Sequence, residues 1–184
     1  FYKAGNFDNS IEEYRRILEI NSKHLPAYLQ LGWVYYRKGE FEMSIAWTKR
    51  GLAIGSRSDQ LDSLASMNLG LYAWLNNDHE AAKKWYRKAL DQESDVILDG
   101  ILKDLKDTSL LFPNRTEASF YSGWVLMEVG KKKMAFPHLT HFLSLTTESA
   151  LSNEARTLLS QKLPLANENH SNFNDDPSTS NQSS

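Results

Sequence analysis

The chain has 184 residues, of which 41% are hydrophobic and 24% charged, with a formal net charge of −2. That length and composition suit an ordinary globular protein with a substantial core, and the near-neutral balance gives no electrostatic reason to expect nucleic acid or an anionic membrane as partner. No apolar run approaches the roughly 18 residues of a membrane-spanning helix, and the absence of cysteine excludes disulfides and thiolate metal sites while leaving the compartment open.

The sequence opens with Phe1 and not with methionine, inside what reads as a helical pair. Residues 1–24 are therefore expected to be the second half of a repeat whose first helix, like any signal peptide, would lie upstream. Gly5 and Phe7 are expected in the turn, and Asp8 suits a helix opening. Ser10, Ile11, Tyr14, Ile17 and Leu18 follow at helical spacing and make one apolar face.

Residues 25–58 form a complete helix–turn–helix unit of 34 residues, with helices expected at 26–38 and 41–54. Its pattern positions are Tyr28, Leu31, Gly32, Tyr35, Gly39, Phe41, Ser44 and Leu52. Matching Leu69-Gly70 to Leu31-Gly32 starts the next unit at Ser63 and runs it over 63–94, with Ala73, Asn77, His79, Ala82, Tyr86, Ala89 and Leu90 in register. The four extra residues before Ser63 lengthen its first helix by about one turn, from Asp59 to Asn76, and 79–92 supplies its partner.

The period breaks over 95–115, where Ile97, Ile101, Leu102 and Leu105 still recur at helical spacing and predict an inserted helix over 95–107. Phe112-Pro113-Asn114 ends the insertion, and Thr116 is placed to cap the next helix with Glu117 in its first turn. A weaker repeat spans 116–146 through Gly123, Leu126, Gly130, Ala135, Leu139 and Phe142, with Pro137 expected in the first turn or so of its second helix, where a missing N–H costs little. Ala150, Leu151, Ala155, Leu158 and Leu159 make a last amphipathic helix over 149–163, suited to covering the apolar face of the final repeat. From Pro164 the composition turns to Asn, Ser and Asp with almost nothing to bury, so 164–184 is expected to be a disordered tail.

A fixed period near 34 residues means a solenoid in which each helical pair buries its apolar face against its neighbours. Tyr28-x-x-Leu31-Gly32-x-x-Tyr35 with Gly39 and Ser44, and Leu69-Gly70 with Ala82, Tyr86 and Ala89, resemble the tetratricopeptide repeat. The likeness covers roughly 1–92 well and 116–146 loosely. Gly32, Gly70 and Gly123 let the paired helix approach closely, and Ser44, Ala82 and Ala135 are the small residues expected to meet them. The chain departs from the family in carrying Ser22, Ser56 and Ser94 where proline is usual, and Thr48 where an aromatic is common. The resemblance implies an all-α, right-handed helical-repeat solenoid, here with an inserted helix and a C-terminal capping helix, that binds other proteins without catalysis or cofactor of its own.

In that family the concave groove is lined mainly by the first helix of each pair, at positions 2, 5, 9, 12 and 13. Those positions hold Leu29, Trp33, Tyr36 and Arg37 in one repeat, Met67, Leu71, Trp74 and Leu75 in the next, and Phe120, Trp124, Met127 and Glu128 in the weak one. Two readings stand side by side. Each side chain can simply pack against adjoining helices, above all Leu71 and Leu75 beside the inserted helix. As a set they make an apolar, aromatic-lined groove for an amphipathic helix or extended peptide, since buried aromatic anchors dominate interface energies. The groove is the favoured reading, because Tyr28, Leu31, Tyr35, Leu69, Ala73 and Leu126 already fill the positions facing the partner helix. The clamp by which some family members hold acidic chaperone C-termini is not expected, because its position 9 is Trp33, Leu71 and Trp124 here and Arg37 alone is no clamp.

Other signals read as surface. His138 and His141 sit three apart on a helix without a carboxylate, too few ligands for a metal. Lys131-Lys132-Lys133 reads as a solvated turn, and Glu12-Glu13 with Arg15 and Arg16 as solubilising charge. Phosphate-loop, dinucleotide, HExxH and GxSxG motifs are lacking, and the acceptor patterns at Asn114, Asn169 and Asn181 are too common to imply secretion. The expected function is a scaffold or adaptor for another protein, with no nucleic acid and no membrane insertion. The alternatives are a subunit that self-associates through an uncovered Tyr14/Ile17 face, or a regulatory segment attached to an upstream catalytic domain. Cytoplasm is only the default compartment.

Overall fold

The computed structural model describes residues 6–55, 58–91 and 94–161. Among them are nine α-helices: α1 (Phe7–Ile20), α2 (Leu25–Lys38), α3 (Phe41–Ile54), α4 (Asp59–Leu75), α5 (His79–Leu90), α6 (Asp95–Leu111), α7 (Glu117–Glu128), α8 (Lys132–Leu145) and α9 (Ala150–Ser160). The expected turn residue Gly5, the proline replacement Ser56, the end of the 79–92 helix and the 164–184 tail lie outside the described residues, wholly or in part.

Local chemistry sets the helix ends. Pro26 stands in the first turn of α2, where its missing N–H is no loss, and the His24 ring accepts from the Ala27 amide at 3.1 Å. Gly39 ends α2 in the left-handed region at φ 78°, with Arg37 and Lys38 in the last turn at the negative end of the dipole. Asp78 caps α5 by accepting from Ala81 at 3.0 Å, and Ser149 and Ser152 cap α9 reciprocally. Three ends differ from the sequence reading. Phe7 is already helical, leaving Asn6 as the N-cap of α1. Thr116 precedes α7 with helical φ and ψ (−68° and −16°) and makes no side-chain cap bond, because capping requires the non-helical geometry that aims the hydroxyl at the free amides. Pro137 is the sixth residue of α8, so it removes a real intrahelical bond; the carbonyl left over belongs to exposed Lys133, where water can take the place of the amide.

Successive helices pack as antiparallel pairs, α2 with α3, α4 with α5 and α7 with α8; α3 lies on α4, and the second and third pairs meet through Trp74 on Tyr121 and Arg87 with Glu128. A Cβ on Gly32 would overlap the Thr48 hydroxyl, one on Gly70 would lie 2.7 Å from the Tyr86 ring, and one on Gly123 would lie 2.6 Å from Leu139. The glycines are therefore the contact points of their pairs. Their main partners are Thr48, Tyr86 and Leu139, one turn beyond the expected small residues; Ser44 and Ala135 contribute backbone carbonyls at 3.1 Å.

The inserted helix α6 is a turn longer than its spacing predicts. Its deepest stripe is Leu98, Ile101, Leu105 and Thr108, all buried. Leu98, Ile101 and Leu105 join residues of α2, α4, α5, α7, α8 and α9 in the largest apolar cluster among the described residues. Thus α6 does not bulge outward as a loop; it lies against the first helices of the repeats.

Candidate functional site

The residues that the sequence assigns to an open groove fall into two groups. Leu29, Tyr36, Met67, Leu71, Leu75, Trp74, Phe120 and Trp124 are buried. In the folded chain these eight pack against named neighbours. Leu29 meets Ala65 of the following repeat. The Tyr36 hydroxyl hydrogen-bonds Thr108 of α6 at 2.8 Å, and its ring meets Tyr72 at 5.6 Å and Phe112 at 5.8 Å. Since Thr108 donates its one hydroxyl proton to the Asp104 carbonyl at 2.6 Å, Tyr36 is the donor in that pair. Met67 closes on Gly100, whose Cβ would stand 3.2 Å from the sulfur.

Trp74 stacks on Tyr121 of α7 at 5.5 Å, beneath the Arg115 guanidinium at 5.5 Å. Phe120 meets Tyr121 edge-on at 5.2 Å and Phe142 at 5.4 Å. Trp124 is roofed by Arg87 at 4.9 Å, which is itself held by two bonds to Glu128 at 2.7 and 3.2 Å.

The second group stays accessible. Trp33 is half-buried and leans on Tyr36 with ring centroids 4.7 Å apart. Arg37 is exposed and makes no ion pair with any described residue, and Met127 is half-buried. Of the residues read as groove-lining, the accessible ones therefore include Trp33 and Arg37 of α2 and Met127 of α7, and the C-terminal end of α6, which reaches Tyr36 of α2, carries Leu110 at 76% exposure.

Asp104 of α6 is largely desolvated, which pushes its carboxyl up to about 6; Lys103 opposes the shift and Asp107 adds to it. Burial likewise raises the Tyr36 phenol. On α8, His138 and His141 are both exposed, and partial desolvation with the neighbouring imidazole lowers His138. Among the described residues no three His, Asp or Glu side chains converge as a metal would require.

Residues 1–59 and 65–95 match family profiles described as tetratricopeptide repeat. Over these residues the chain is a tetratricopeptide repeat array. A TPR repeat-containing protein of Methanocaldococcus jannaschii is 22% identical over 162 residues, covering 88% of this chain and 26% of that protein. The chain thus spans about a quarter of the length of that curated relative. Among solved structures, MamA is 16% identical, with 83% of this chain and 92% of that chain covered and a TM-score of 0.45. YrrB, described as a TPR protein with an unusual peptide-binding site, is 19% identical, with 82% and 84% covered and a TM-score of 0.35.

Tetratricopeptide arrays are protein-interaction scaffolds, and no described helix of this one is long and apolar enough to cross a membrane. Two features of the structure escaped the sequence. Arg115 donates to the Trp74 and Leu75 carbonyls at 2.9 and 2.8 Å and to Asn77 at 3.1 Å, so a cation satisfies the carbonyl end of α4. Nothing in the repeat period marks that residue. Thr108 continues the apolar stripe of α6 by one turn, and its placement three residues after Leu105 was a usable signal hidden by its polarity.

Proposed function

We propose that this tetratricopeptide repeat protein is an adaptor whose concave binding residues are the ones α6 leaves open: Trp33 and Arg37 of α2, with Met127 at the far end of the same side. The observation that carries the reading is the occupancy of the concave side by α6. It takes up Tyr36 and Met67 internally while Trp33 presents a half-buried indole one turn from the Arg37 guanidinium, which has no ion pair among the described residues. An aromatic platform next to a free guanidinium suits a peptide that pairs an apolar side chain with a carboxylate. Of the groove residues read from sequence, Tyr36 supports the Trp33 ring directly, while Leu29, Met67, Leu71, Trp74, Phe120 and Trp124 are buried. A partner held here would be gripped over a short segment and not along the whole array.

The test is affinity capture from the source lysate with wild type and with Trp33→Ala/Arg37→Glu, read by mass spectrometry after circular dichroism shows equal helicity. A protein retained by wild type and lost by the variant supports the patch. Equal retention by both removes it from consideration. Self-association is the second reading, favoured by Ile17 and Ile20 on α1, which are 36% and 89% exposed. A native mass that falls to that of one chain in Ile17→Asp/Ile20→Asp supports it, and a wild-type protein already of one-chain mass ends it.

A further inference from the structure

The opposite side of the array carries a feature that the concave reading does not use. Trp47 of α3 is half-buried, with the Arg50 guanidinium 5.1 Å and the Arg15 guanidinium of α1 5.8 Å from its ring centroid. Tyr28 of α2 stands 6.0 Å away, tilted against the same ring. Together with Leu18 and Glu19 these residues line a shallow cleft of about 290 Å³ between α1 and α3, the second helices of two successive pairs.

The charge balance of the cleft is incomplete. Arg16, Arg87, Arg115 and Arg156 are each within ion-pair distance of a carboxylate, whereas Arg15 and Arg50 have none among the described residues. The acids of α1 that could neutralise them are engaged elsewhere: Glu12 and Glu13 hold Arg16 at 2.6 and 3.1 Å. Glu19 lines the cleft without pairing to either arginine and leaves one net positive charge there. Arg15 is also steered, because it donates to the Tyr35 hydroxyl at 3.1 Å. Two guanidinium groups are held at one indole with a single carboxylate, Glu19, lining the cleft beside them, so the site attracts a further anion.

We propose that this α1–α3 cleft is a second docking surface, for an acidic peptide segment of a partner protein. A carboxylate enters between Arg15 and Arg50, and an adjoining aromatic side chain lies against Trp47 and Leu18. Guanidinium groups suit this occupant because their planar forks bind carboxylates in two-point fashion and stack on aromatic rings at once. The surface lies on the second helices, so it can be filled while Trp33 and Arg37 hold something else.

The full chain is titrated against a fluorescein-labelled Glu-Asp-Phe-Asp-Glu peptide by fluorescence polarisation, with Gln-Asn-Phe-Asn-Gln as the uncharged control. Wild type is expected to bind the acidic peptide, to lose affinity as salt is raised, and to bind the control about tenfold more weakly or worse. Arg15→Glu/Arg50→Glu is expected to lose about tenfold or more, Trp47→Phe to bind nearly as wild type, and Trp33→Ala/Arg37→Glu to bind unchanged. Arg50→Gln, a change at an exposed position, repeats the measurement with less risk to the fold. No binding by wild type, or undiminished binding by both arginine variants, overturns the cleft. Loss in the Trp33/Arg37 variant alone moves the acidic peptide to the concave patch and also overturns it.

Discussion

Each helical pair in this array meets at a glycine facing a residue one turn beyond the small position, and the fit leaves no room for a methyl group. At Gly70 a Cβ would be 2.7 to 2.9 Å from three carbons of Tyr86, a ring that is itself fully buried among Trp74, Tyr121 and Gly70. Alanine gains about 1 kcal/mol of helix propensity over glycine, but overpacking a rigid contact costs about 1–3 kcal/mol. Gly70→Ala is therefore expected to destabilise the chain on balance, seen as a lower urea midpoint at unchanged slope; a raised midpoint would mean that Tyr86 can yield. Asp104 makes the opposite prediction. Its folded-state pKa is about 6 against the ordinary 3.8, so the folded protein holds this proton more tightly than the unfolded chain does between those values. The carboxylate thus lowers stability as pH rises from about 4 through 6, and the full penalty is present above that. Asp104→Asn is expected to melt higher than wild type at pH 8 and to lose that advantage progressively as pH falls toward 4. Parallel melting curves at all pH values would place Asp104 in water. Neither residue could be weighed from sequence: Gly70 was legible as a close approach, but the partner ring and the desolvation of Asp104 depend on how helices far apart in the chain settle together.

The element that decides what the concave side can do is α6. Its presence was legible, because Ile97, Ile101, Leu102 and Leu105 keep helical spacing through the break in the period. Its position was not. Periodicity reports that a stripe will be buried, and is silent on which surface receives it. Leu71 and Leu75, which the packing reading sets beside the inserted helix, are buried in the cluster that also holds Leu98, Ile101 and Leu105 of α6. The consequence is energetic as well as steric. Leu105 is fully buried in the cluster shared by α4 and α7, so Leu105→Ala removes a side chain whose space its neighbours cannot fill. A loss of about 2–5 kcal/mol is expected by chemical denaturation. A loss under about 1 kcal/mol would show that α6 rests loosely on the array and that the cavity collapses when the side chain goes.

At the scale of the molecule, a helical-repeat solenoid couples each unit only to its neighbours, and long arrays can therefore unfold in parts. Here α6 adds contacts that skip along the line. It is bonded to α2 through Tyr36 and Thr108, lies on α4 at Met67 and Gly100, and packs against α7. Arg115, just beyond α6, ties the start of α7 back to the carbonyl end of α4. These ties should make α2 to α7 one cooperative unit. Urea unfolding followed by far-ultraviolet circular dichroism and by tryptophan fluorescence is then expected to give coincident transitions, with the amides of α6 as slow in hydrogen exchange as those of α4. The alternative outcome bears directly on function. If α6 exchanges early and leaves in a separate first transition, the concave side opens at a cost well below global unfolding. Met67, Leu71 and Tyr36 would then become reachable, and a partner helix could compete with α6 for them. Coincident transitions instead hold recognition to surfaces already open in the folded state, the Trp33–Arg37 patch within and the Trp47 cleft without.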